Sequence, residues 1–223
     1  MTAAALLASS RAVLLDFDGP ITPLMPAPAN MHAADVGRAA LAGYEATVEP
    51  IAATSDHLAV IRWTGVHVPK ALAAVEAACT AAEVEAAETC EPTPGSDELI
   101  RSLHRRGTPV VIVTNNAAEA VDTYLTRWNL TESVLRIVGR PVHRPDLMKP
   151  HPHTIEEALR TLRVPPGRAV LVGDSVTDVE VARTAHVPCI GYAKNPRRGK
   201  ELREAGAEAL TDTIAAIVPV DGP

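Results

Sequence analysis

Four short polar motifs stand where apolar runs stop or helical patterns begin. The first is Asp16-Phe17-Asp18-Gly19, directly after the run AVLL. On an extended chain alternate residues point to the same side, so Asp16 and Asp18 can face one site. Two carboxylates at the end of a buried strand are costly unless something neutralises them, and a bound cation would do so. A strand ending in a solvated aspartate turn would carry the same residues. The second motif is Thr114-Asn115-Asn116, after PVVIV. A hydroxyl followed by backbone N–H groups at a helix start suits a phosphate oxygen; a plain N-cap threonine would look alike. The third is Lys149-Pro150, whose lysine can meet phosphate as a point charge or lie on the surface. His151 and His153 stand beside it, with substrate contact, capping and solvent all open to them. The fourth is Gly173-Asp174-Ser175-Val176-Thr177-Asp178. Aspartates four apart at a helix start share a helix face. Hard cations such as Mg²⁺ take carboxylate oxygens together with water and phosphate. An acidic first turn that satisfies the helix dipole has the same appearance.

The elements that must position these residues follow from the apolar pattern. Residues 12–16, 109–114, 135–138, 169–173 and 188–192 are short runs rich in Val, Ile and Leu, each followed by polar or turn residues. They read as buried parallel strands. Helical patterns at 97–106, 117–128, 154–162, 176–185 and 212–218 alternate with them, which argues a parallel sheet covered on both faces. In such sheets ligands bind outside the carboxyl ends of the strands, where all four motifs fall. Residues 21–91 break the alternation. They are Ala-rich, with helical spacing clearest over 70–88, where Leu72, Val75 and Cys79 form one stripe. Prolines punctuate both ends of the segment: Pro20, Pro23, Pro26 and Pro28 at its start, Pro92 and Pro94 at its end. The expected division is a core of residues 1–20 and 92–223 and a helical cap of residues 21–91, joined by hinge-like linkers.

Composition narrows the class. Hydrophobic residues make up 47% of the 223, enough for a sizeable core, while aromatics make up only 3% and leave little for base stacking. The net charge of −6 argues against nucleic acid and anionic membranes as partners. Cys79, Cys90 and Cys189 are too sparse for a disulfide framework or a zinc site. The apolar run 3–8 lacks the preceding positive residue of a secretory signal, and no stretch approaches the roughly 20 apolar residues of a membrane span. The expected location is the cytoplasm.

Taken together and in this order, the motifs resemble the haloacid dehalogenase-like hydrolase superfamily, within it the phosphoglycolate phosphatase-like and β-phosphoglucomutase-like branch with a helical cap. The family's DxD, Ser/Thr, Lys and GDxxxD motifs match Asp16 and Asp18, Thr114, Lys149, and Asp174 and Asp178. The resemblance implies an α/β fold, a Rossmann-like parallel sheet of order 5-4-1-2-3 with an inserted all-helical cap domain. It implies a Mg²⁺-dependent phosphomonoester hydrolase working through an aspartyl-phosphate. Asp16 would be nucleophile, Asp18 acid and base, and Lys149 the charge neutraliser. Thr114, Asn115 and Lys149 would bind the phosphoryl group. Asp16, Asp18 (through its backbone carbonyl), Asp174 and Asp178 would serve the metal, Asp178 by orienting Lys149 or the metal's waters. The implied partner is a small phosphorylated metabolite, with no nucleic acid and no membrane, and the chain a monomer or homodimer.

One departure is Pro20, where the family's DxDGT form has threonine; Thr22 follows two residues later. Dehalogenases and phosphonatases of the superfamily lack the second aspartate, so Asp18 speaks against both. A sugar-phosphate mutase keeps both aspartates, with His32, His57, His67 and Lys70 available for its cap chemistry. A non-catalytic binding module on the same fold is the reading from another class. Specificity candidates in the cap are Tyr44, Arg62, Trp63 and Lys70. The basic stretch 194–200 reads as a solvated loop, with an anion-attracting edge of the site as the other option.

Overall fold

A computed structural model describes residues 1–44 and 49–219. Residues 45–48 of the expected cap and 220–223 of the expected core lie outside the described residues. The strands are β1 (Ala12–Leu15), β2 (Val110–Val113), β3 (Arg136–Val138), β4 (Ala169–Gly173), β5 (Cys189–Tyr192) and β6 (Ala209–Thr211). All pair in parallel, in the order β3-β2-β1-β4-β5-β6. The expected five-strand order is present, and β6 extends it beyond β5.

The apolar runs form strands because both faces of the sheet are covered. Alternation divides each run between two cores. Val13, Leu15, Ile112, Val170 and Val172 pack on one side, with Leu99 and Leu103 of α5 (Ser96–Arg105) and Val121 and Tyr124 of α6 (Ala118–Arg127). Leu14, Val111, Val113 and Leu171 pack on the other side. There they meet Ile155 of α7 (His153–Leu162), Val179 of α8 (Val176–Thr184) and Leu202 of α9 (Pro196–Ala205). Such a side chain, fully buried, is worth about 1.5–3 kcal/mol. The two-sided core holds the strand ends, and with them the polar motifs, in fixed register.

The helical segment comprises α2 (Ala29–Ala39), α3 (His57–His67) and α4 (Leu72–Ala87). A third apolar cluster gathers Ala34, Val60, Ile61, Leu72, Val75 and Cys79, with Met148 joining it from the sheet side. The stripe expected on α4 is therefore buried. The other end of α4 packs elsewhere: Ala82 and Ala87 belong to the first sheet core. One helix thus spans both packing units.

Three elements differ from expectation. An α1 helix (Ala3–Ser9) precedes β1, capped by Thr2. The helix expected over 212–218 is only a 3₁₀ turn, Ile214–Ile217, because β6 takes up the chain just before it. The stretch read as a solvated loop contains most of the first turns of α9. Its punctuation is legible: Asn195 accepts from the Arg198 N–H, Pro196 occupies the first turn, and Gly206 ends the helix at φ +107°. Apolar periodicity misses it because Leu202 is its one large buried side chain. Among the described residues no helix is long and apolar enough to cross a membrane.

Candidate active site

Asp16 follows β1, and its N–H donates to the Val172 carbonyl of β4, which ties it to the middle of the sheet. Phe17 turns the other way, wholly buried and edge-on to Tyr124 at 5.3 Å. Asp16 and Asp18 both line one cavity of about 520 Å³ at the carboxyl edge of the sheet. The next residue, Gly19, has φ +119°, and a Cβ there would lie 2.5 Å from the Asp174 carboxyl carbon. Only glycine lets the two aspartate-bearing loops come this close.

Lys149 arrives from the loop before α7. Its ammonium lies 2.8 Å from Asp16 Oδ1 and 2.6 Å from Asp178 Oδ1, and it donates to the Val113 carbonyl at 3.2 Å. Asn115 holds the backbone of this lysine at both ends, accepting from Lys149 N–H at 2.7 Å and donating to its carbonyl at 3.1 Å. Thr114 ends β2, but it does not cap a helix. Its hydroxyl donates to Asn116 Oδ1 and accepts the Asn116 N–H, in a turn that leads into Ala117, the N-cap of α6.

The spacing of Asp174 and Asp178 works differently from the helix-face argument. Asp174 lies in the loop after β4, before α8 begins, and Asp178 lies inside the first turn. Asp178 closes a capping box with Ser175, accepting from its N–H at 3.1 Å and its hydroxyl at 2.6 Å. Gly173 permits this, since a Cβ there would meet the Asp178 carboxyl carbon at 2.5 Å. Wholly buried, Asp178 does not line the cavity.

Oxygens of Asp16, Asp174 and Asp178 come within 4.8 Å of one another. The Asp18 carboxylate is not part of that cluster; it accepts the Leu24 N–H at 3.0 Å. Burial, then the Asp178 charge, push Asp16 up to about 8 against the pull of Lys149. Burial and Asp174 push Asp18 up, and burial and Asp178 push Asp174 up, against Lys194. Burial would raise Asp178 too, but Lys149 and Ser175 hold it below its usual value. The same two aspartates hold Lys149 above its usual value despite burial. Four acidic groups against two lysines form a site short of positive charge. An all-oxygen donor set of this kind fits a hard divalent cation.

Lys194 is the second lysine, 2.7 Å from Asp174 Oδ2. It lies just past β5, so the strand-end rule that flags Asp16, Thr114 and Asp174 applies to it as well. The remaining basic residues of that stretch pair along α9, Arg197 and Arg198 with Glu201 and Lys200 with Glu204. Of the four specificity candidates only Arg62 lines the cavity, its guanidinium donating to the Lys149 carbonyl at 3.1 Å. Trp63 stacks on His67 instead, and Tyr44 packs against the helical cluster. His57 lines the cavity, whereas His32, His67, Lys70, His151 and His153 do not. Thr22 does not replace the hydroxyl missing at Pro20; it donates to the Glu91 carbonyl.

A family model described as haloacid dehalogenase-like hydrolase matches residues 52–192, more than half of the chain. The chain belongs to the haloacid dehalogenase-like hydrolases. Its curated relatives include a phosphoglycolate phosphatase of Nitrosococcus oceani, 30% identical over 126 residues, covering 56% of this chain and 54% of that one. Another, of Pseudomonas fluorescens, is 26% identical over 126 residues, with coverages of 56% and 46%. The chain thus spans about half the length of the curated relatives it matches. Among solved structures, CbbY from Rhodobacter sphaeroides in complex with phosphate aligns at a TM-score of 0.69 and 24% identity, over 92% of this chain and 95% of that one. A mutant of CbbY in complex with xylulose-(1,5)bisphosphate aligns at 0.71 and 24% identity, over 95% and 100%. Likeness at that identity speaks to the fold, which this hydrolase shares.

Proposed function

We propose that this hydrolase is a Mg²⁺-dependent phosphatase that cleaves a small phosphorylated metabolite through an aspartyl-phosphate on Asp16. The observation that carries the reading is the Lys149 ammonium between Asp16 and Asp178, with Asp18 on the same cavity wall. The substrate class is that of the phosphoglycolate phosphatases it resembles. Residues 21–91 are proposed as a cap over the core of residues 1–20 and 92–223, with the cavity between them.

In this reading an Asp16 carboxylate oxygen attacks phosphorus and the ester oxygen leaves. Asp18, whose pKa is pushed up by burial and by Asp174, protonates that oxygen. It then takes a proton from the water that hydrolyses the acyl phosphate, which frees Asp16. Lys149 balances the charge gathered at Asp16, and Asp178 keeps Lys149 in place. Thr114 and Asn115 hold the transferring group, so most of the work is positioning and charge stabilisation. Mg²⁺ held by Asp16, Asp174 and the Asp18 carbonyl would supply the missing positive charge at the phosphate oxygens.

Hydrolysis of p-nitrophenyl phosphate with Mg²⁺ or with excess chelator tests the proposal. Intact-protein mass spectrometry of quenched reactions should show one phosphate adduct, absent in Asp16→Asn. Undiminished turnover in chelator, or an adduct on Asp16→Asn, would overturn it.

A further inference from the structure

A second buried ionic group lies behind the cavity wall. Glu83 of α4 is fully buried, and its carboxylate accepts five hydrogen bonds. Oε1 takes His57 Nε2 at 2.8 Å, Asn116 Nδ2 at 2.9 Å and Arg140 Nη1 at 3.0 Å. Oε2 takes the Ala117 N–H at 3.0 Å and Arg140 Nη2 at 3.1 Å. Arg140 continues the network, donating to the Asn115 carbonyl at 3.0 Å and to Thr80 Oγ1 at 2.9 Å. Burial alone would raise the Glu83 pKa; the His57 hydrogen bond and the Arg140 charge hold it near about 2.

These partners are not scattered. Asn115, Asn116 and Ala117 form the turn that carries Thr114, and Lys149 grips the same turn from the opposite side through Asn115. Ala117 precedes α6 and has no side chain to cap it, so Glu83 supplies from another helix the acceptor for the Ala117 N–H that the N-cap residue itself lacks. His57 opens α3 and lines the cavity. A buried ion pair is a poor source of stability compared with apolar packing, which leaves stability an insufficient account of this group.

We propose that Glu83 is a positioning residue for the phosphate-holding turn 114–117, and that through His57 it sets the first turn of α3 against that turn. The inference rests on the reading of Thr114 and Asn115 as phosphate ligands. It also locates a fixed point in the helical segment. The Glu83 end of α4 and, through His57, the first turn of α3 are both fastened to the turn after β2.

The test uses Glu83→Gln. A glutamine has one acceptor oxygen, and both carboxylate positions face donors. Whichever way the amide turns, its NH₂ meets at least two donors and the turn loses a partner. Inorganic phosphate affinity, measured with Mg²⁺ as product inhibition and by calorimetry, should weaken about tenfold or more, the scale of one hydrogen bond to a charged group. Mg²⁺ affinity should stay within about twofold, because no metal-site carboxylate touches Glu83. Unchanged phosphate affinity, or equal loss of both, would overturn the inference. If Glu83→Gln folds poorly, Glu83→Leu/Arg140→Met removes both charges together. That variant must still bind phosphate weakly, since the Ala117 N–H remains without its acceptor; wild-type affinity there would overturn the inference as well. A wild-type chain that neither binds phosphate nor hydrolyses p-nitrophenyl phosphate would instead sink the phosphatase reading itself.

Discussion

Replacing Lys149 by methionine keeps an unbranched stem and removes the charge between two aspartates. The ammonium lies 2.8 Å from Asp16 and 2.6 Å from Asp178, and only 3% of the lysine side chain is exposed. Removing one partner of a buried ionic group costs about 3–5 kcal/mol, because the charges left behind are uncompensated. The cost must depend on pH. The Lys149 contribution is constant in the acid and neutral range, since a raised lysine pKa gives stability that is lost only as pH rises through that value. The carboxyls set the slope. Asp16, already lifted from 3.8 to about 8, disfavours the native state progressively as pH climbs from its unfolded to its folded pKa. Asp178, held down chiefly by Lys149, would move up and join it. The methionine variant should therefore lose less stability near about pH 4.5 than near about pH 8, because Asp178 without Lys149 can keep a proton that the wild-type native state has released. Urea unfolding followed by the fluorescence of Trp63 and Trp128 measures the difference. Excess Mg²⁺ should restore part of the loss, since a cation bound to the native state replaces the missing charge. An equal loss at both pH values, insensitive to Mg²⁺, would refute the electrostatic reasoning and leave Lys149 a packing residue.

Other perturbations separate the remaining roles. Asp18→Asn should release nitrophenol from p-nitrophenyl phosphate in a burst of about one enzyme equivalent followed by a slow phase. Nitrophenolate needs little protonation to leave while water still needs a base. Linear release at the wild-type rate in rapid-mixing absorbance would remove Asp18 from acid–base work. Gly173→Ala, whose Cβ would sit 2.4 Å from Asp178 Cβ, should cost about 1–3 kcal/mol and most of the activity. Gly167→Ala, with nothing within 4 Å, should change neither in parallel melts and assays. Arg62→Ala should raise KM for anionic metabolites and leave p-nitrophenyl phosphate turnover nearly intact. Trp63→Ala should do neither, and a substrate panel that gives both variants the same profile would contradict the cavity lining. Asp174→Ala should raise the Mg²⁺ concentration needed for half activity, read by titration of the metal.

The site was legible in the sequence to the extent that it is built from strand ends. A short apolar run that stops at a polar residue is a local signal, and Asp16, Asp18, Thr114 and Asp174 fall around one cavity because parallel strands deliver their carboxyl ends to one edge, where Lys149 joins them from the loop before α7. The same rule extended to β5 would have included Lys194, which composition made look like part of a charged loop. The stripe on α4 was legible for the same reason, since 3.6-residue periodicity records which face is buried. Partners across the chain leave no such trace. Nothing in residue type distinguishes Glu83 from the exposed Glu85 of its helix, and nothing local marks Arg140. Their burial exists only because α4 lies against the turn after β2, and each makes the other's burial tolerable. Asp178 is a similar case: the resemblance left it between orienting Lys149 and serving the metal's waters, and the tertiary structure sets its carboxylate 2.6 Å from the Lys149 ammonium, off the cavity wall. Residue types and their order thus determined the sheet and the catalytic candidates. Packing decided which charges face the cavity and which face one another, because the energy of a buried charge depends on neighbours distant in sequence.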